Sequence, residues 1–360
     1  MKKTSLRNPL LLLLTATIWG VAFVAQSVGM DYVGPFTFSF TRCMIGGAVL
    51  IPCIALLDRL KARDGRDSAQ ELDDETNANT KARDGRDSGQ VLDEADSTQI
   101  SPSGASVQHM EERVGAEAER PAIVKRSRWF GNRTLLCGGI CCGIALCVAS
   151  NLQQIGIQYT SVGKAGFITA MYIILVPVFN CFRGQRAGAK IWVSVLLAVA
   201  GLYLLCITEG FSVGFGDLLV LLCAAVFAIH ILVIDYFSPK VDGVRMSCIQ
   251  FFVCGLLSGV GMLIFETPTI EAVAQDWLPI GYAGVLSCGV AYTLQIVGQK
   301  GMDPTVASLI LSLESVVSVL SGWLILGQSL SGKELFGCVL MFLAIILAQL
   351  PDRVHGQVRK

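Results

Sequence analysis

Residues 9–30 read Pro9-Leu-Leu-Leu-Leu-Leu-Thr15-Ala-Thr-Ile-Trp19-Gly-Val-Ala-Phe-Val-Ala-Gln26-Ser-Val-Gly-Met30, twenty-two positions without a charge. Lipid offers no partner to backbone N–H and C=O groups. A chain crossing the hydrocarbon core must therefore close its own hydrogen bonds in a helix of about 20 mostly apolar residues. This run meets that requirement. Stretches of the same kind recur over 36–57, 134–157, 163–182, 190–207, 216–236, 245–265, 278–298, 304–326 and 333–350, the fifth of the ten being the shortest. The fold expected is an all-α membrane protein of about ten transmembrane helices.

Composition points the same way. The chain is 53% hydrophobic and 16% charged, against about 25% charged in soluble domains, and its mean hydropathy is +0.59. A net charge of zero gives no support for a nucleic-acid partner. The thirteen cysteines lie mostly inside apolar runs, and none forms a Cys-x-x-Cys or Cys/His ligand spacing. They read as small packing residues, with no metal or other cofactor expected. The basic start and Leu10 to Leu14 also fit a signal peptide, but the apolar stretch is long for one and no Ala-x-Ala site follows it.

Local signals mark some helix starts. Asp303-Pro304 reads as an N-cap with proline at the first helical position, and Ser331 with Glu334 as a capping box. Lysine and arginine then orient the spans, because short cytoplasmic loops are enriched in both. Lys2, Lys3, Arg7; Arg183, Arg186, Lys190; Lys240, Arg245; Lys300; and Arg353, Arg359, Lys360 fall on one side, while the opposite loops hold only Lys164 and Lys333. Both ends of the chain are expected on the cytoplasmic face of the cell membrane.

Between the second and third spans lies a polar insertion, 58–132, holding more than half of the acidic residues. It lacks the apolar content to bury a core and is expected to be disordered. Within it, Lys61-Ala-Arg-Asp-Gly-Arg-Asp-Ser68 recurs as Lys81-Ala-Arg-Asp-Gly-Arg-Asp-Ser88.

A longer repeat underlies the spans. A shift of 208 sets Leu10 on Leu218, Trp19 on Phe227 and Gly47 on Gly255. Past the insertion a shift of 142 sets Leu152 on Leu294, Gly156 on Gly298 and Ala165 on Ala307. The chain thus divides into a first repeat over 1–57 and 133–207, a second over 216–350, and a cytoplasmic tail, 351–360. Five spans is an odd number, so the second half must enter the membrane from the other side. Two inverted five-helix repeats meeting at a midplane site are a recurrent transporter architecture.

Several stretches resemble the EamA-type transporters of the drug/metabolite transporter superfamily. They are Leu11 to Gly20, Phe38-Ser-Phe-Thr-Arg42, Ser161-Val-Gly-Lys164-Ala-Gly-Phe-Ile-Thr169, Leu313-Glu314 and Gly322-Trp-Leu-Ile-Leu-Gly327. The resemblance covers both halves and implies ten helices, with export or exchange of solute by alternating access. Two departures stand out: Ser315 where members often have proline after Leu-Glu, and Gln328 where they have glutamate after Leu-Gly. The first removes a proline that would kink span nine.

Polar residues inside spans are costly, so each is a candidate for a site or for a structural pair. Glu314 stands about ten residues into span nine, with Ser318 and Ser321 on its face and Tyr172 at the equivalent place in span four. Trp19 and Gln26 share a face of span one with Thr15 and Ala22; Asn151, Gln154 and Gln158 share one on span three; Tyr292 and Gln295, with Gln299, share one on span eight. A hydrated cavity explains all three sets, although interhelical hydrogen bonding explains any one. Arg42 sits about 9 Å into span two and could snorkel to the outer interface instead. His230 in span six is either a proton carrier or hydrogen-bonded packing. Gly139 with Gly143, Gly255 with Gly259, and Ser308 with Ser312 read as helix contacts.

The function expected is secondary transport of amino-acid-like or amphipathic drug-like solutes. The expected partners are the small-molecule substrate and the bilayer, with a homodimer left open. An intramembrane enzyme would need a nucleophile–base pair or paired aspartates, which the spans lack. A sensor or scaffold would need more than a low-complexity insertion.

Overall fold

The computed structural model describes residues 6–87, 132–160, 162–185, 187–206, 214–326 and 331–350. Among these the regular structure is helical: α1 (Arg7–Gly29), α2 (Pro35–Asp87), α3 (Arg133–Ile157), α4 (Val162–Thr169), α5 (Tyr172–Phe182), α6 (Ala189–Cys206), α7 (Phe215–Phe237), α8 (Gly243–Phe265), α9 (Ile270–Gln275), α10 (Trp277–Gly281), a π-helix (Tyr282–Tyr292), α11 (Thr293–Gln299), α12 (Pro304–Leu311), α13 (Glu314–Leu326) and α14 (Gly332–Gln349). Among the described residues eight segments are long and apolar enough to cross a membrane: Arg7–Gly29, Pro35–Leu60, Arg133–Ile157, Ala165–Phe182, Phe215–Phe237, Gly243–Phe265, Trp277–Gln299 and Pro304–Ile325. Two shorter apolar helices, Ala189–Leu204 and Leu335–Ala348, stand where spans five and ten were expected.

Burial runs opposite to that of a water-soluble helix bundle. On α8, Ser247, Gln250 and Ser258 are buried while Leu256 and Leu263 are 61% and 77% exposed. Water would penalise that arrangement on both counts. Lipid does not, because its tails are as apolar as leucine. The protein is therefore a multi-pass membrane protein.

Small residues set how closely the helices approach. A Cβ at Gly139 or Gly143 of α3 would come within 2.5 Å of Ile249 and 2.6 Å of Val253, so both glycines hold α3 against α8. Between α2 and α8, Gly255 faces Met44 and Gly47 faces Phe252. Ser308 and Ser312 are fully buried, and their hydroxyls donate to Thr305 and Leu309 carbonyls of their own segment, each at 2.8 Å.

Helix starts follow the local chemistry. Asp303 accepts from the Thr305 and Val306 N–H groups at 2.8 and 3.2 Å, with Pro304 opening α12. Asn132 does the same for α3 through Thr134 and Leu135. Asp217, three residues into α7, accepts from the Gly214 N–H at 2.8 Å and the Thr160 hydroxyl at 2.6 Å. The Glu334 side chain of the expected capping box lies outside the described residues.

Two expectations need correction. The helix of span two continues to Asp87, where disorder was expected from residue 58 onward. Fourteen of the 27 residues over 61–87 are alanine, leucine, glutamate, glutamine, lysine or arginine, which favour a helix even without a core to bury. Residues 88–131, the rest of the insertion, lie outside the described residues. The chain divides into two units, Met1–Ile54 with Trp129–Lys360, and Ala55–Arg128.

The second correction concerns span nine, which is broken without a proline. α12 stops at Leu311 and α13 starts at Glu314. The Ser312 hydroxyl competes for the Leu309 carbonyl, and Leu313 N–H and Ser315 N–H bond Ile310 and Ser312 carbonyls at 3.2 and 3.1 Å, three residues back instead of four. Span four breaks the same way at Ala170 and Met171. There Met171 N–H bonds Ile168 and Ile173 N–H bonds Ala170, at 3.1 and 3.0 Å. Each of these bonds maps onto its span-nine counterpart by the shift of 142.

Candidate functional site

The two breaks face each other. Tyr172 and Glu314 are the first helical residues after them, and the Tyr172 hydroxyl donates to Glu314 Oε1 at 3.0 Å, both side chains being buried. Ser315 adds a second tie, its hydroxyl donating to the Gly166 carbonyl at 3.1 Å. Beside this pair opens a cavity of about 500 Å³, its mouth included, lined from spans one to four, six, eight and nine.

Eight residues named from the sequence line the cavity: Trp19, Gln26, Arg42, Tyr172, His230, Tyr292, Gln295 and Glu314. Trp19 and Tyr292 lie with ring centroids 4.5 Å apart, and Tyr292 also meets Phe251 and His230 edge-on at 5.6 and 6.1 Å. His230 Nε2 stands 3.2 Å from Gln250 Oε1. Arg42 does not snorkel. Its Nη1 donates to Gln26 Oε1 at 3.1 Å, the guanidinium lies 5.6 Å from the Phe38 ring centre, and the residue is 4% exposed.

Asn151, Gln154 and Gln158 do not line the cavity. Asn151 donates to the Cys147 carbonyl and to Ser258 Oγ, both at 2.8 Å, which ties α3 to α8. Gln154 donates to the Gln26 carbonyl at 3.3 Å, so it buttresses a lining residue from behind. Gln158 is exposed just past the end of α3. The residue that does reach the cavity from α3 is Gln153, which donates to Thr169 Oγ1 at 3.2 Å. A pattern built from Asn151 at helical spacing selects Gln154 and passes over its neighbour. Phe23, Thr169, Phe227, Ile231, Ser287 and Leu311 complete the lining. The apolar members have no sequence signal that separates them from lipid-facing residues.

The wall is polar in a particular way. Trp19 Nε1, Arg42 Nε, His230 Nδ1 and Gln295 Oε1 are buried and have no hydrogen-bond partner among the described residues. Buried groups of this kind are paired as a rule, with protein, water or ligand. Here they offer donors and an acceptor beside one carboxylate, one guanidinium and several aromatic faces. No group of histidine, cysteine and carboxylate side chains among the described residues could hold a metal ion.

Two features lie at the span ends. Arg183 Nη1 meets Asp235 Oδ2 at 3.4 Å, joining the end of α5 to α7, and also donates to Asn180 at 3.3 Å. Just before α10, Asp276 is buried with neither carboxylate oxygen hydrogen-bonded among the described residues. Burial, with Asp31 nearby, pushes it up to about 6.

The EamA-like transporter family model matches residues 7–68 and 214–350, together more than half of the chain. The chain belongs to that family. An uncharacterized transporter of Archaeoglobus fulgidus is 32% identical over 209 residues, 58% of this chain and 67% of its own length. A chloroplastic WAT1-related protein of Arabidopsis thaliana is 25% identical over 221 residues, 58% of this chain and 53% of its own length. A crystal structure of a protein shares the fold with a TM-score of 0.63 at 18% identity, covering 95% of this chain and 96% of that one. Membership makes this EamA-like chain a membrane transporter. The matched segments contain Trp19, Gln26, Arg42, His230, Tyr292, Gln295 and Glu314, whereas Tyr172 lies between them.

Proposed function

We propose that the protein is a secondary transporter of ten spans in two inverted repeats, moving an amino-acid-like or amphipathic solute through the central cavity by alternating access. The observation that carries this reading is the pair of matched helix breaks whose first residues, Tyr172 and Glu314, meet across the cavity wall. Broken helices at the junction of repeats expose backbone and side-chain polar groups at mid-membrane, where a solute site needs them.

Reciprocal contacts support the inverted repeat. Gly47 faces Phe252 and Gly255 faces Met44. The shift of 208 turns each contact into the other, as a two-fold axis between α2 and α8 requires. The shift of 142 does the same for residues 172 and 314. With the lysine and arginine asymmetry, this reading puts both ends of the chain in the cytoplasm and the protein in the plasma membrane, with export as the direction.

The lining suggests the solute. Arg42 can hold a carboxylate and Glu314 an ammonium or other cation. Trp19, Phe23, Phe227 and Tyr292 offer faces to an apolar body. Flux tests the proposal: proteoliposomes containing the protein take up one or more members of a panel of amino acids and aromatic amphipathic cations faster than empty liposomes. Uptake no faster than into empty liposomes across the panel would count against it.

A further inference from the structure

Two of the buried cysteines do more than fill space. Cys43 of α2 and Cys254 of α8 have their Sγ atoms 3.4 Å apart, and both are buried. Cys288 lies within hydrogen-bonding reach of Cys43, and Cys147 of Cys254, so four thiols form a chain across spans two, three, seven and eight. The Arg42 guanidinium is also within reach of the Cys43 thiol, and Arg42 lines the cavity. The pair therefore sits one side chain behind the cavity wall.

We propose that Cys43 and Cys254 are a reversible disulfide site that ties α2 to α8. Bond formation brings two sulfurs from contact to about 2.05 Å, a closure of about 1.4 Å that small side-chain rotations can share. A small peroxide entering through the cavity supplies the oxidant. One thiol attacks the peroxide O–O bond, giving a sulfenic acid and water; the second thiol attacks that sulfur, forming S–S and releasing a second water. Two thiols and one hydrogen peroxide thus give one disulfide and two waters. Thiol exchange with a reductant returns both thiols.

The partners come from opposite halves of the family match, Cys43 within 7–68 and Cys254 within 214–350. The bond would clamp the halves at the contact where Met44 meets Gly255. That the clamp arrests transport rests on the alternating-access reading; formation of the bond does not.

The test uses the full chain in lipid nanodiscs, treated with hydrogen peroxide and digested with trypsin, one half kept without reductant and the other then given dithiothreitol. Cleavage after Arg42, Arg59, Arg245 and Lys300 puts Cys43 on 43–59 and Cys254 on 246–300. We expect the two peptides joined, lighter by two hydrogens than their sum, and separated again by the reductant. The joined species should vanish in Cys43→Ser and in Cys254→Ser but persist in Cys53→Ser, Cys248→Ser and Cys288→Ser. Backbone hydrogen exchange in α2 and α8 should slow while the bond is present, which reads the clamp without any substrate. Absence of the joined species, its persistence in Cys43→Ser or Cys254→Ser, or its loss in Cys288→Ser would overturn the site. Unchanged hydrogen exchange would overturn the clamp, whatever the flux measurements give.

Discussion

Replacing Gly20 with alanine puts a methyl group into a tight contact of α1 with α13. A Cβ at Gly20 would stand 2.4 Å from Val317 Cβ and 2.7 Å from both Val317 Cγ1 and the Glu314 carbonyl oxygen. Carbon atoms rest comfortably at roughly 3.6 Å, so the contact falls short by about 1.2 Å. Val317 Cβ is fixed by its backbone, and no rotamer relieves the clash. The helices must part beside Glu314. Overpacking of this kind costs about 1–3 kcal/mol, and alanine in place of a helical glycine returns about 0.5–1 kcal/mol. Gly20→Ala should therefore be the less stable, by about 1 kcal/mol at the middle of these ranges. Gly166→Ala is the matched control. Among the described residues its Cβ would meet only Ser315 Oγ, at 3.9 Å, an ordinary contact, so the gain of about 0.5–1 kcal/mol should stand alone. Reversible unfolding of both variants in lipid nanodiscs reads the two signs. Equal shifts, or a Gly20→Ala variant as stable as the parent, would refute the packing of α1 on α13.

Other expectations follow from the same geometry. Asp276 is held at about 6 against an ordinary 3.8, so the folded protein keeps a proton that the unfolded chain releases. Stability should fall as pH rises between these values. Asp276→Asn should remove that slope and be more stable above it by on the order of 2 kcal/mol, measured by thermal unfolding at several pH values. Asn132→Ala removes the acceptor of two N–H bonds at the start of α3, and should cost about 1 kcal/mol in the same assay. Reporter fusions after residues 30, 160, 210, 270 and 330 should report outside, and those at 100, 186, 240, 300 and 360 inside; an exposed C-terminus outside would contradict the inverted repeat.

What could be read from the sequence was what depends on local chemistry or on the repeat. The positions of the eight segments long enough to cross a membrane followed from apolar length, and the Asp303 cap from a carboxylate placed just before proline. The repeat paired Tyr172 with Glu314 before any contact between them was known. Side-chain direction was harder. Asn151 and Gln154 share a face that turns toward α8 and α1, while Gln153, one residue away, reaches the cavity, and a helical wheel cannot tell which face meets which neighbour. The break in span nine was hidden because it comes from Ser312 bonding its own backbone and not from a proline. The helix beyond Leu60 was not expected, because missing apolar content says nothing against a solvated helix, and the backbone stays helical to Asp87.

The central claim is that solute passes beside Glu314, held by Tyr172 at the meeting of the two helix breaks. Exchange of a transported solute in proteoliposomes tests it most directly, comparing the parent with Glu314→Gln inserted to the same level. Glutamine keeps the size and an acceptor for the Tyr172 hydroxyl but removes the charge. The account predicts a loss of about tenfold or more, the equivalent of roughly 1.5 kcal/mol from one charge-assisted contact, with Ser321→Ala affected less. Exchange by Glu314→Gln at the parent's rate would contradict it and leave Glu314 as a packing residue.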